Sequence, residues 1–182
     1  MAGPTEKLHW LVVVIGDIST RRVIPAIQAE PRSVLHGVVS RDHSKGEIYA
    51  DRVWTDLNEA LRDPDIGAVY VATPVFLHSE QTLAALRANK HTLCEKPMAM
   101  NYAQAAGMVD AARETGRILG VAYYRRMYPK LQRARDLIAQ GVIGRPVFAE
   151  INYHDWFQAE NGRRSWLLDP VRSGGGPLFD IA

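Results

Sequence analysis

Residues 11–30 read LVVVIGDISTRRVIPAIQAE, and this stretch decides the fold. Residues 11–15 form an unbroken aliphatic run, mostly β-branched, the pattern of a strand buried on both faces. Gly16 breaks the run. Over residues 20–30, Val23, Ile24 and Ile27 then recur at helical spacing, with Pro25 in the first turn or so, where a missing N–H is tolerated. A buried strand, a tight turn and a helix in that order open a βαβ unit.

The alternation continues to about residue 122. The pattern predicts strands over 34–40 and 66–73, the latter ended by Pro74, with a short strand at Trp54 between them. Strands over 91–94 and 118–122 complete the series. Helices are predicted over 44–52, from an Asp56 cap to 61, over 79–89, and over 101–114 closed by Gly116. Strands separated by helices make a parallel sheet, and right-handed crossovers make it doubly wound, so residues 1–123 are expected to form an α/β domain of the Rossmann type. The character changes after residue 123. A helix over 129–139 ending at Gly141, a long strand over 147–156, a polar irregular stretch and the glycine-rich segment 173–177 suggest the start of a second α/β domain, 124–182, left incomplete. With no strand partner in the remaining sequence, segment 147–156 is expected to be mobile, repacked or covered by another copy, which leaves homo-oligomerisation open.

Composition narrows the class. With 47% hydrophobic and 23% charged residues the chain sits in the globular range. Its net charge of +2 is spread along the sequence, which argues against a nucleic-acid partner. The longest apolar run, residues 10–15, is far short of the ~18 residues that span a bilayer, and residues 1–7 lack a signal-peptide pattern. The single Cys94 cannot form an internal disulfide, so a cytoplasmic setting is expected.

Three places carry candidate chemistry. The turn Val14-Ile15-Gly16-Asp17-Ile18-Ser19 lies where a dinucleotide pyrophosphate sits, but keeps only the middle glycine of G-x-G-x-x-G/A, so an ordinary βα turn competes with a binding loop. After the second strand, Ser40-Arg41 replaces the acidic residue that holds an NAD ribose. A guanidinium suits a 2′-phosphate, which favours NADP, while Asp42 keeps NAD open and a solvated loop arginine is the competing reading. Glu95-Lys96-Pro97 follows a buried strand, so Lys96 stands at the carboxyl edge, where such sheets bind ligands. It can exchange a proton with a substrate hydroxyl there, against the plain alternative of a solvated lysine. Cys94 reads as a small buried hydrophobe, and the six histidines lack metal-ligand spacing.

Five blocks occur in order: Thr73-Pro74 with His78; residues 90–97, KHTLCEKP; Tyr124-Arg125-Arg126; residues 141–146, GVIGRP; and residues 174–180, GGGPLFD. In order and spacing they resemble the glucose–fructose oxidoreductase / inositol dehydrogenase / MocA (Gfo/Idh/MocA) family from about residue 8 to the end. The resemblance implies a Rossmann domain followed by an α/β domain on an open antiparallel sheet. It also implies hydride transfer between a nicotinamide cofactor and a sugar- or polyol-like hydroxyl or carbonyl. The implied catalytic residues are Lys96 and Asp180. The implied cofactor contacts are Gly16, Asp17, Ile18, Ser40, Arg41, Thr73, Pro74, His78, Glu95, Lys96 and Tyr124. The family's histidine would fall four residues after Asp180, past residue 182, so little or no turnover is expected of the chain itself. Val14, Ser19, Val75 and Leu167 depart from the family pattern. The rival expectation is a non-catalytic nucleotide-binding module.

Overall fold

The computed structural model describes residues 7–152, 154, 165–175 and 179. The chain divides into two compact units, Met1–Ala122 together with Trp166–Ala182, and Tyr123–Ser165. The sequence had placed one boundary at residue 123. The structure adds a second, because the segment from Trp166 returns to the first unit.

The first unit is built on six parallel strands: β1 (Leu8–Val13), β2 (Ser33–Val39), β3 (Val53–Trp54), β4 (Ala68–Val71), β5 (His91–Cys94) and β6 (Leu119–Val121). Their order is β3-β2-β1-β4-β5-β6, so chain direction across the sheet reverses between β1 and β4. That reversal point is where ligands bind in open α/β sheets. The central strands are fully covered: Leu11, Val12, Val38, Val69 and Val71 have no exposed surface. This is why their sequences run apolar instead of alternating.

Among the helices between strands, Leu57–Ala60 and Tyr102–Thr115 carry side-chain N-caps, while Ile24–Ala29, His43–Glu47 and His78–Arg87 do not. Ahead of α1 (Ile24–Ala29) lies a π-type turn, Ser19–Val23. Pro25 therefore sits inside a continuous helical run and not at its start. It has no N–H to give a carbonyl of the preceding turn, and the wider π turn is a recognised way to accommodate such a gap. The α2 helix (His43–Glu47) is shorter than the expected 44–52, because the chain must already be extended at Val53 to pair with Val38. Asp56 caps α3 (Leu57–Ala60) by accepting from Glu59 N at 2.8 Å. After α4 (His78–Arg87), the longest helix among the described residues, α5 (Tyr102–Thr115), opens on a pair of side-chain caps. Asn101 Oδ1 accepts from Gln104 N at 3.0 Å, and Gln104 Oε1 accepts from Met100 N at 3.1 Å. It closes on Gly116 at φ +65°, a left-handed cap that suits glycine.

In the second unit, a 3-10 turn (Tyr124–Met127) leads into α6 (Pro129–Ala139), as the sequence predicted for 129–139. The strand expected over 147–156 is absent over the described residues 147–152 and 154. Val147, Phe148 and Ile151 are exposed there. A strand exists only as a hydrogen-bonded ladder, and among the described residues none pairs with this segment. In the segment that returns to the first unit, the irregular stretch expected up to residue 172 contains a 3-10 turn (Ser165–Leu168) and α7 (Pro170–Ser173), capped by Asp169.

Candidate functional site

The loops after β1, β2, β4 and β5 all leave the same edge of a parallel sheet, and the sequence had placed nearly all of its candidate residues on them. In the first loop Val14 adopts φ +75°, the left-handed conformation that the first glycine of the fingerprint normally supplies. Its N–H donates to Val39 O at 3.0 Å, and its carbonyl accepts the Ser19 hydroxyl at 2.9 Å. Ser19 is fully buried. The two departures from the fingerprint are thus coupled, since the serine at the third position ties down the turn that the valine at the first position strains. Gly16 is different. A Cβ there would meet nothing within 4 Å, and its φ is not positive, so neither packing nor strain in the chain calls for glycine. The open space over its backbone is what a pyrophosphate needs for close approach at a helix start. Asp17 is exposed beside it, and Ile18 is half-buried.

After β2, Arg41 is exposed while Ser40 is turned inward. The Ser40 hydroxyl, expected to contact the cofactor, donates to Asp42 O at 2.7 Å and so closes its own turn. Asp42 accepts the Ser44 hydroxyl at 2.6 Å and pairs with Lys45 at 3.4 Å. The Ser44 hydrogen bond foremost, and Lys45 after it, hold its carboxyl below the usual range. Arg41 is exposed and takes part in none of these bonds.

After β4 and β5 the two signature loops lock together. Thr73 Oγ1 donates to Gln81 at 2.8 Å, and Pro74 leads into a 3-10 turn, Val75–Leu77. His78 is 1% exposed, with Nε2 2.7 Å from Thr73 O and Nδ1 2.8 Å from Pro97 O. Both ring nitrogens face main-chain carbonyls, so His78 is a brace between the loops and not the ligand contact the sequence suggested. Burial pushes its imidazolium pKa down, against the pull of the two carbonyls. Glu95 is likewise buried: its Oε1 accepts the Tyr70 hydroxyl at 2.6 Å and its Oε2 accepts Lys96 N at 3.1 Å. Lys96 itself is half-buried, and its peptide bond to Pro97 is cis. Cys94 is fully buried, and burial pushes its thiol up to about 12, which makes it an inert core residue as expected.

The returning segment packs on this region. Arg172 lies over the Phe76 ring at 5.9 Å, and Leu167 and Ser173 are buried. Leu167 is therefore a core residue of the first unit. Tyr124 lies in the second unit, where its ring meets Tyr128 at 6.0 Å between centroids. Asp180 lies outside the described residues.

Sequence reasoning missed a polar network at the opposite, amino edge of the sheet. His36 occupies a bulge where the β1–β2 register skips it. Its Nε2 is 2.9 Å from Asp63, and its Nδ1 is 3.1 Å from His9 Nδ1. Arg52 donates to Asp63 at 2.6 Å, and Lys90 Nζ to Asp63 O at 2.8 Å. His36, Asp63 and Asp65 present ligand-type atoms within 4.8 Å of one another, but Arg52 and Lys90 already supply cations to the cluster. A histidine, an arginine and a lysine this far apart in sequence meet only through sheet order, so no spacing rule could have found them.

A doubly wound parallel sheet with an open glycine turn at the strand reversal is the architecture of dinucleotide-binding α/β domains. Residues 8–123 match the family model described as "Oxidoreductase family, NAD-binding Rossmann fold", and residues 131–182 match that described as "GFO/IDH/MocA C-terminal domain". The chain belongs to the Gfo/Idh/MocA oxidoreductase family. It is 40% identical over 178 residues to a 1,5-anhydro-D-fructose reductase of Ensifer adhaerens, covering 95% of this chain and 53% of that protein. It is 34% identical over 188 residues to a dTDP-3,4-didehydro-2,6-dideoxy-alpha-D-glucose 3-reductase of Actinomadura kijaniata, covering 100% of this chain and 55% of the relative. Among solved structures, a 3-ketoreductase of Actinomadura kijaniata in complex with NADP and TDP-benzene superposes with a TM-score of 0.79 at 29% identity, covering 97% of this chain and 54% of that one. The chain spans about half the length of the curated relatives it matches. Among the described residues, no helix is long and apolar enough to cross a membrane.

Proposed function

We propose that the sheet's carboxyl edge binds NADP(H) and that Lys96 serves hydride transfer to or from a sugar- or polyol-like carbonyl or hydroxyl. The observation that carries this reading is the common edge shared by the open backbone of Gly16, the outward-facing Arg41 and the braced Lys96. Gly16, Asp17 and Ile18 at the helix start would take the pyrophosphate, and Arg41 would read the 2′-phosphate through charge-assisted bonds. Thr73, Pro74 and Tyr124 are proposed as further contacts. Glu95 and His78, named by the sequence as cofactor contacts, are proposed to act indirectly, a reading their burial supports. When bound, a nicotinamide cofactor would supply or take the hydride. Lys96 holds the substrate oxygen, donating a proton as a carbonyl becomes an alkoxide and receiving one in the reverse direction. Asp180 is proposed to assist it. The relatives that act on an anhydrofructose and on dTDP-sugars, and an NADP(+)-dependent D-xylose 1-dehydrogenase of Haloarcula marismortui at 29% identity, support the substrate class and the cofactor.

The test is calorimetric titration of the chain with NADPH and NADH, repeated on Arg41→Ala. NADPH is expected to bind tighter by on the order of 10-fold, and the preference should vanish in the variant. Equal affinities in the parent chain would refute Arg41 as the phosphate reader. The second reading, a nucleotide-binding module without chemistry, draws on the strained Val14 turn. It would be excluded by any Lys96-dependent reduction of 1,5-anhydro-D-fructose by NADPH, however slow.

A further inference from the structure

Lys96 is held from both neighbours by side chains that belong to other elements. On its amino side, Glu95 folds back so that Oε2 accepts the Lys96 N–H at 3.1 Å, while Oε1 is fixed by the Tyr70 hydroxyl at 2.6 Å. Tyr70 belongs to β4, is paired in register with Leu93 of β5, and is fully buried. On the carboxyl side, the carbonyl of Pro97 lies 2.8 Å from His78 Nδ1, and the other nitrogen of that ring is 2.7 Å from Thr73 O. Each arrangement is costly without a purpose. A carboxyl group 9% exposed is unfavourable unless its oxygens are satisfied, and phenylalanine would fill nearly the same volume as Tyr70. A buried ring with a carbonyl at each nitrogen is similarly demanding, since a neutral imidazole has one N–H to give.

We propose that Tyr70 and His78 are positioning residues for Lys96: Tyr70 acts through the Glu95 carboxylate and His78 through the Pro97 carbonyl. Together they fix the backbone on both sides of the lysine, so that the ammonium is presented in one direction at the carboxyl edge. This rests on the reading of Lys96 as the proton-exchanging group. The two braces differ in kind. Tyr70 reaches across the sheet from β4 to the end of β5, whereas His78 also ties the Thr73 loop, so its loss should disturb both loops.

The experiment is NMR on the labelled chain, the Tyr70→Phe and His78→Gln variants, and Lys96→Arg, which identifies the Lys96 Cε–Hε resonance by its disappearance. Tyr70→Phe is expected to speed exchange of the Lys96 amide by on the order of 10-fold and to move its Cε–Hε resonance, with exchange in Leu11, Val12 and Val13 unchanged. His78→Gln should move the same resonance and also speed exchange over residues 73–78. An unmoved Lys96 resonance and unchanged Lys96 amide exchange in both variants would overturn the proposal. Should Tyr70→Phe fail to fold, Glu95→Gln keeps the volume and weakens the same brace, and the same two readings apply. Titration of the parent chain and of Lys96→Ala with NADPH and then with 1,5-anhydro-D-fructose separately tests whether the lysine meets a ligand. Equal affinities in the two chains would sink the functional reading and leave the bracing result standing.

Discussion

The left-handed turn at Val14 allows a prediction whose sign is opposite to the ordinary one. A left-handed backbone costs an L-residue about 1–2 kcal/mol, and a β-branched residue at least as much. Val14 sits at φ +75°, anchored by Val39 O on one side and by the Ser19 hydroxyl on the other, so it cannot relax without losing both bonds. Replacing it by glycine or by alanine removes the same partly buried side chain, and the comparison of the two variants cancels that loss. At most positions glycine is the less stable of the two by about 0.4–1 kcal/mol, because it loosens the unfolded chain. Here alanine keeps most of the left-handed cost and glycine none. Taking about 1.5 kcal/mol for the conformation and about 0.7 for the entropy, glycine should be the more stable by roughly 0.8 kcal/mol. That corresponds to a melting temperature about 2–3 °C higher for a chain of this size. Urea unfolding of both variants at matched m-values, with melting curves alongside, measures it. An alanine variant as stable as the glycine variant would refute the assignment of a strained turn.

Three further outcomes follow from the buried polar groups. Asp63→Asn should cost about 1.5–3 kcal/mol, the range for hydrogen bonds to a charged group and below that of a fully buried pair because Arg52 is half exposed, and chemical denaturation at pH 7 reads it. The Asp63 carboxyl is held below the usual range by His36 and Arg52 against desolvation, so its contribution is present above about pH 4 and is lost on acidification below that; Asp63→Asn should flatten the stability curve there. His78 titrates below the ordinary histidine value in the folded state because it is buried, so the unfolded chain takes up its proton first. Stability should therefore fall as pH drops below about 6.5, by up to about 1.4 kcal/mol per pH unit, and His78→Gln should remove that part of the slope. Cys94, with its thiol pushed up to about 12, should resist a thiol reagent at pH 8 in the native chain and react fully in denaturant; native reactivity would contradict its burial.

The candidate site was only partly legible in the sequence. The loops themselves were found, because Gly16, Pro74 and Pro97 punctuate buried strands whose ends must share an edge. What each side chain does there was not legible. Ser40, His78 and Glu95 all read as ligand-facing, yet each is turned inward by a partner that is distant in sequence or by its own turn. Residue type and position specify what a group can bond. Whether the bond goes to the chain or to a ligand depends on which neighbours folding brings near.

The sequence by itself determined the sheet, because short apolar runs of period one and helical stripes between them leave few ways to bury every strand on both faces. It also determined the caps at Asp56 and Gly116, since capping depends on residues within a single turn. Only the tertiary structure decided the rest. It set the strain at Val14, the double brace around Lys96 and the amino-edge network of His9, His36, Arg52, Asp63 and Lys90. It also gave no strand among the described residues 147–152, because ladder hydrogen bonds, like those braces, join residues that lie far apart in the chain.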